Sequence, residues 1–234
     1  MSFTESLRKK YENLWGLATG HPFVKALADG SLPRRKFTYY LIQDAKFLVE
    51  TSRALALAAS KETRPKEMLW LLGLAKETLA AERALHQDYL GNLGFTEQKL
   101  AESPWGAANA AYTRHLVAIA SAYQPEAALC ALLPCFWIYP AVGHKLLAHG
   151  EPACDHPYRS WILQYGDPAF MDEAQRIRSY IDGYVESIRK EPLHELQAGS
   201  CPPHSAEPML NLLETLFASG CRYEISFWEM AWTS

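Results

Sequence analysis

Residues 127–143, AALCALLPCFWIYPAVG, carry no charged side chain, in a chain whose apolar residues recur at helical spacing from end to end. A helix that is apolar all round must be enclosed by other protein, so this run predicts the central helix of an all-α fold. Outward from it the period continues, and no run alternates apolar and polar residues for long enough to predict a sheet. Breakers divide the pattern. Gly30-Ser31-Leu32-Pro33 and Thr63-Arg64-Pro65 each end one helix and open another, because proline suits a first helical turn. Further breaks are expected at 91–94, Ser103-Pro104-Trp105-Gly106, Gln124-Pro125, 150–157 and Gly166-Asp167-Pro168. Roughly seven substantial helices plus shorter ones should result. Residues 191–208, which include Gly199, Ser200, Pro202 and Pro203, read as a long irregular connection to the last helix.

The 234 residues suit one compact unit, and 1–234 is expected to be a single domain. A hydrophobic share of 49% with 21% charged residues predicts a globular protein with a substantial core. Lys and Arg number 23 against 26 Asp and Glu and form no stripe, which argues against nucleic acid as a partner. Residues 1–10 are polar and charged, and no later run is flanked like a membrane span. A cytoplasmic protein with no membrane partner is expected. Cys130, Cys135, Cys154, Cys201 and Cys221 show no C-x-x-C spacing, which predicts reduced thiols and neither zinc nor a disulfide framework.

Polar residues on apolar faces are the candidates for chemistry. On the helix from Pro33 to about Ser60, helical spacing puts Phe37, Tyr40, Leu41, Asp44, Phe47, Leu48, Thr51 and Leu55 on one side. Lys36, Gln43, Lys46, Glu50 and Arg53 fall on the other. A buried carboxylate costs several kcal/mol unless paired, so Asp44 calls for structural donors or a ligand. The last helix turns Leu213, Phe217, Gly220, Glu224, Phe227, Trp228 and Ala231 inward, with Leu210 at the start of the stripe. Asn211, Arg222, Ser226 and Glu229 face outward. Glu224 is then either half of a buried salt bridge or a general acid. On the central helix Cys135 and Tyr139 share a face one turn apart, about 5–6 Å between β-carbons, so both can meet one bound molecule. Pro134 and Pro140 predict local bending and freed carbonyls beside the thiol. Most buried cysteines are packing, which is the reading given to Cys130. Glu82 and His86 form an inward pair at i, i+4, but a carboxylate-bridged metal centre needs a second such set and the sequence offers none. They read as a brace for the pocket, with no metal.

The blocks Leu133 to Tyr139 and Tyr223 to Trp232, with Gln43-Asp44, Ala111-Tyr112, Glu82 to His86 and Trp161 to Tyr165, resemble the TenA family, the thiaminase II or aminopyrimidine aminohydrolase group. The likeness spans almost the whole chain. It implies a haem-oxygenase-like helical bundle, no cofactor, and a homotetramer. It also implies Cys135 as nucleophile, Glu224 as acid, and Asp44 as the group that binds the aminopyrimidine, with Tyr112, Tyr139, Tyr165 and Phe47 around it. Phe47, Tyr139 and Trp228 are the rings expected to stack on substrate. The implied reaction converts the aminomethyl-methylpyrimidine of thiamine salvage to its hydroxymethyl counterpart plus ammonia, with thiamine cleavage as a secondary activity. Two other readings stay open: an oxidase or cofactor-maturation enzyme on the same scaffold, and a non-catalytic pyrimidine-binding regulator. The sequence departs from the pattern at Phe47, where many relatives carry a tyrosine whose hydroxyl supports the thiol, and at Pro140-Ala141, where an aromatic followed by Glu is common. Cys221, one turn before Glu224, is the rival thiol.

Overall fold

Helix boundaries fall where glycine and proline place them in this computed structural model, which describes residues 1–86, 96–190 and 206–234, without the side chains of 81–86 and 97. Three short helices, α1 (Phe3–Lys10), α2 (Glu12–Thr19) and α3 (Pro22–Ala28), lead to the long α4 (Arg34–Lys61) and α5 (Pro65–His86). Then come α6 (Glu97–Glu102), α7 (Ala107–Ala122), α8 (Pro125–Leu147), α9 (Arg159–Tyr165), α10 (Pro168–Lys190) and α11 (Ala206–Trp232). No strand occurs among the described residues. Gly30, at φ 77, supplies the left-handed turn between α3 and α4, a conformation open to glycine at little steric cost.

α8 is the axis around which α2, α4, α7, α9, α10 and α11 pack, while α4 lies between α5 and α7. Its uncharged stretch is buried almost throughout. Enclosure is incomplete at Cys135, Phe136 and Ala141, which are partly exposed; the first two open onto a cavity. The helix continues through Pro134 and Pro140 without interruption. α11 approaches α8 closely beside the thiol: a β-carbon on Gly220 would stand 2.7 Å from Pro134 Cγ and 2.9 Å from the Ala131 carbonyl. By length and composition α8 is apolar enough to cross a membrane, yet 78% of its most apolar window lies buried inside the protein.

Two expectations need correction. Gln43 and Lys46 do not face solvent, because the α6–α7 segment covers that side of α4. Gln43 is fully buried: its amide donates to the Pro104 carbonyl at 3.0 Å and accepts from Gly106 N–H at 2.9 Å, while Asn109 donates to the Gln43 carbonyl at 2.7 Å. Lys46 reaches the Ala101 carbonyl at 3.3 Å beneath the Trp105 ring. The irregular connection also stops earlier than expected, since residues 206–208 already belong to α11, with Pro208 in its first turn. The remainder of that connection, and the break at 91–94, lie outside the described residues.

Candidate active site

A cavity of about 360 Å³ lies between α4, α5, α8, α9 and α10, within the range of small-molecule sites. The inward stripe of α4 supplies Asp44, Phe47, Leu48 and Thr51 to its wall. Cys135 and Tyr139, one turn apart on α8, supply the facing side, and Tyr165 from the last turn of α9 completes it. Gly143 sets that last placement. A β-carbon there would sit 2.3 Å from the Tyr165 carbonyl carbon, so only glycine lets α9 close onto α8. Tyr165 then packs 4.9 Å from the Tyr139 ring and 4.6 Å from Trp161.

Burial sets the protonation of the Tyr139 phenol and the Glu224 carboxyl. Asp44 is 3% exposed, and its charge acts on both Tyr139 and Glu224. Burial holds the Tyr139 phenol well above its usual pKa, with the nearby Tyr40, Glu224, Asp44 and Cys135 adding to it, so it remains a neutral donor. Glu224 is 1% exposed, and burial pushes its carboxyl up to about 8; the Tyr112 hydroxyl, donating to Oε1 at 2.8 Å, opposes that rise. The carboxyl therefore keeps its proton at neutral pH, as an acid catalyst must. No ion pair among the described residues involves Glu224.

Of the expected residues, Asp44, Phe47, Cys135, Tyr139 and Tyr165 line one cavity. Tyr112 and Glu224 do not. They stand directly behind its wall, where Phe47 packs 5.0 Å from the Tyr112 ring and where Tyr112 is influenced by both Glu224 and Cys135. Trp228 is not a stacking surface for a ligand: it is fully buried, stacked on Phe23 at 5.2 Å and Tyr40 at 5.5 Å. The rival thiol Cys221 is buried and raised to about 12, chiefly by desolvation and the neighbouring Glu224, which leaves little thiolate near neutral pH. Cys130 is buried as well and raised further by desolvation, with its Sγ 3.1 Å from the Leu213 carbonyl. Glu229 is exposed as expected and accepts from His21 Nε2 at 3.1 Å. The Glu82 and His86 side chains lie outside the described residues. Sequence reasoning missed Glu77 and Glu173, which line the α5 and α10 side of the cavity. The inward spacing of Phe170 and Glu173 on α10 was the available signal.

A model of the TENA/THI-4/PQQC family matches residues 8–199. An aminopyrimidine aminohydrolase of Halalkalibacterium halodurans is 31% identical over 234 residues, covering 99% of this chain and 96% of that protein. The solved TenA homologue from P. horikoshii OT3 superposes with a TM-score of 0.81 at 30% identity, over 100% of this chain and 99% of that one. A Shewanella denitrificans domain with a heme oxygenase-like fold, 14% identical, superposes with a TM-score of 0.70 over 98% of this chain and 92% of that one, a likeness of fold alone. With a family model that covers most of its length, the chain belongs to the TENA/THI-4/PQQC family.

Proposed function

We propose that the protein is an aminopyrimidine aminohydrolase, which replaces the amine on the ring's methylene arm with a hydroxyl and releases ammonia. The observation that carries this reading is the meeting of Cys135, Asp44 and three aromatic rings on the walls of one cavity. The name of the H. halodurans relative supports it. Phe47, Tyr139 and Tyr165 offer apolar faces to a flat heterocycle, each stacking contact adding about 1 kcal/mol beyond burial. The Asp44 carboxylate accepts from the exocyclic amine and fixes the ring's orientation.

In the proposed reaction the Cys135 thiolate adds to the ring carbon beside the substituted position. The electron pair pushed into the ring leaves with the amine nitrogen, which takes its proton from Glu224. Water adds to the exocyclic carbon and returns a proton to the Glu224 carboxylate. The carbon–sulfur bond then breaks, the thiolate leaves and the ring regains aromaticity. Because Glu224 stands behind the wall, its proton needs a side-chain rotation or a bridging water to reach the amine. The reading treats 1–234 as one domain, active in the cytoplasm as a homotetramer; sedimentation equilibrium measures the assembly.

Ammonia release from the aminomethyl-methylpyrimidine tests the reaction. Wild type should turn over, and Cys135→Ser should be slower by about a thousandfold or more. Equal rates, or no release by wild type, would remove the proposal.

A further inference from the structure

Gln43 precedes Asp44 on α4 yet does not line the cavity. Its side chain is fully buried, and so is that of Asn109 in the first turn of α7. The two amides form a polar joint between these helices. Asn109 Nδ2 donates to the Gln43 carbonyl at 2.7 Å and to Gln43 Oε1 at 3.1 Å. Gln43 Oε1 also accepts from the Gly106 N–H at 2.9 Å, and Gln43 Nε2 donates to the Pro104 carbonyl at 3.0 Å. A third helix closes on the same point, because a β-carbon on Gly106 would run into the Met230 sulfur of α11. Apolar surfaces can slide past one another, whereas a buried network of directed bonds specifies one register.

This joint is kept at a cost to stability. Asn109 Oδ1 is buried with no hydrogen-bond partner among the described residues, and an apolar side chain of similar size would avoid that desolvation. Thr113, one turn on, donates at 2.8 Å to the Asn109 main-chain carbonyl and leaves Oδ1 unserved. What the joint holds in register bears on the chemistry. Asp44 follows Gln43 directly, and Tyr112, three residues after Asn109, reaches Glu224 of α11 at 2.8 Å. The three helices that meet here therefore carry the proposed ring-binding carboxylate, the phenol and the acid.

We propose that Gln43 and Asn109 are positioning residues for the acid step: their joint sets the register of α7 on α4 and thereby holds the Tyr112 hydroxyl on Glu224 while Asp44 holds the ring. The inference rests on the reading of the site as an aminopyrimidine hydrolase. The groups that bear on Glu224 are few. Asp44 of α4 raises its pKa and the Tyr112 hydrogen bond lowers it, while Glu224 acts in turn on Tyr139 of α8 and on Cys221 of its own helix. Loosening the Tyr112 contact should then raise the Glu224 pKa further.

The test compares Asn109→Leu and Gln43→Met, which remove the joint's hydrogen bonds at similar size, with Tyr112→Phe, which removes the contact it positions. Infrared titration follows the protonated carboxyl band of Glu224, identified by its loss in Glu224→Gln. The midpoint, about 8 in wild type, should rise by about half a unit or more in all three variants. Adding Asn109→Leu to Tyr112→Phe should move it no further. Ammonia release should fall about tenfold in kcat in Asn109→Leu and Gln43→Met with KM within about twofold of wild type. Gln43→Glu, whose protonated side chain can donate to Pro104 and accept from Gly106, should recover most of that kcat on the acid side of the profile. Thermal melts verify folding, and Asn109→Ser takes the place of Asn109→Leu if the larger side chain prevents it. A midpoint unchanged in the joint variants, with stability alone reduced, would overturn the inference and leave the hydrolase reading intact. A further shift on top of Tyr112→Phe would overturn it too, since the joint would then act by another route. No ammonia release by wild type would remove the hydrolase reading and the catalytic part of the inference with it, whatever the infrared midpoints show.

Discussion

The Tyr112 hydroxyl donates to Glu224 Oε1 at 2.8 Å, and it is the only hydrogen-bond partner of that carboxyl among the described residues. Both side chains are buried, one on α7 and one on α11, and their contact ties the proposed acid to the back of the cavity wall. A single neutral donor cannot compensate a buried carboxylate, so the protonated form prevails.

This arrangement sets a pH dependence of stability. The folded protein holds the Glu224 proton up to about pH 8, whereas the unfolded chain releases it near the ordinary value of 4.5. The folded state therefore binds more protons between these limits. The contribution is fully present below about 4.5 and is lost as pH rises through about 8. Glu224→Gln removes the titration, so it should gain on wild type as pH rises, by up to about 1.4 kcal/mol per pH unit in that window. Urea melts of both proteins from acid to mildly alkaline pH measure the difference; a constant offset contradicts the assignment.

Gly143→Ala should damage the site through packing. The added methyl meets the Tyr165 backbone at 2.3 Å and Gly166 N at 2.5 Å, and main chain cannot rotate away as a flexible side chain would. Overpacking of this kind costs about 1–3 kcal/mol. Thermal melts should show the loss, and a rise in KM should accompany it as Tyr165 moves from the wall.

Phe47→Tyr should raise the reactivity of the thiol. Phe47 lines the same cavity as Cys135, so tyrosine there would add a hydroxyl to the wall that the thiol shares. A hydroxyl that donates to the thiolate favours the charged form. The alkylation rate of Cys135 should increase and its pH profile shift to lower values. An unchanged profile would show that thiol activation in this chain does not depend on that position.

Much of this architecture is legible before any coordinates. The uncharged run around Pro134 and Pro140 identifies α8, and helical spacing alone puts Asp44, Cys135, Tyr139 and Glu224 on inward faces. Spacing gives a direction and not a neighbour. It could not tell that Gln43 and Lys46 lie beneath the α6–α7 segment, because a helix packed on more than one side has no single polar face. Nor could it separate the two sides of a wall. Trp228 and Glu224 both point inward, yet the first stacks on Phe23 and Tyr40 and the second is not part of the cavity lining but meets Tyr112 behind it. Glu77 and Glu173 escaped notice for the opposite reason: charged residues near a helix surface look like solvated ones until a third helix turns that surface into a cavity wall.

The central claim is that the Cys135 thiol and the Asp44 carboxylate address one planar ring. A crystal soaked with the hydroxymethylpyrimidine product tests it most directly. The account predicts the ring in the cavity between Phe47, Tyr139 and Tyr165, with a ring carbon about 3–3.5 Å from Cys135 Sγ and the exocyclic amine on Asp44. A ring bound elsewhere on the protein, or one seated in the cavity with the sulfur out of reach, would contradict it.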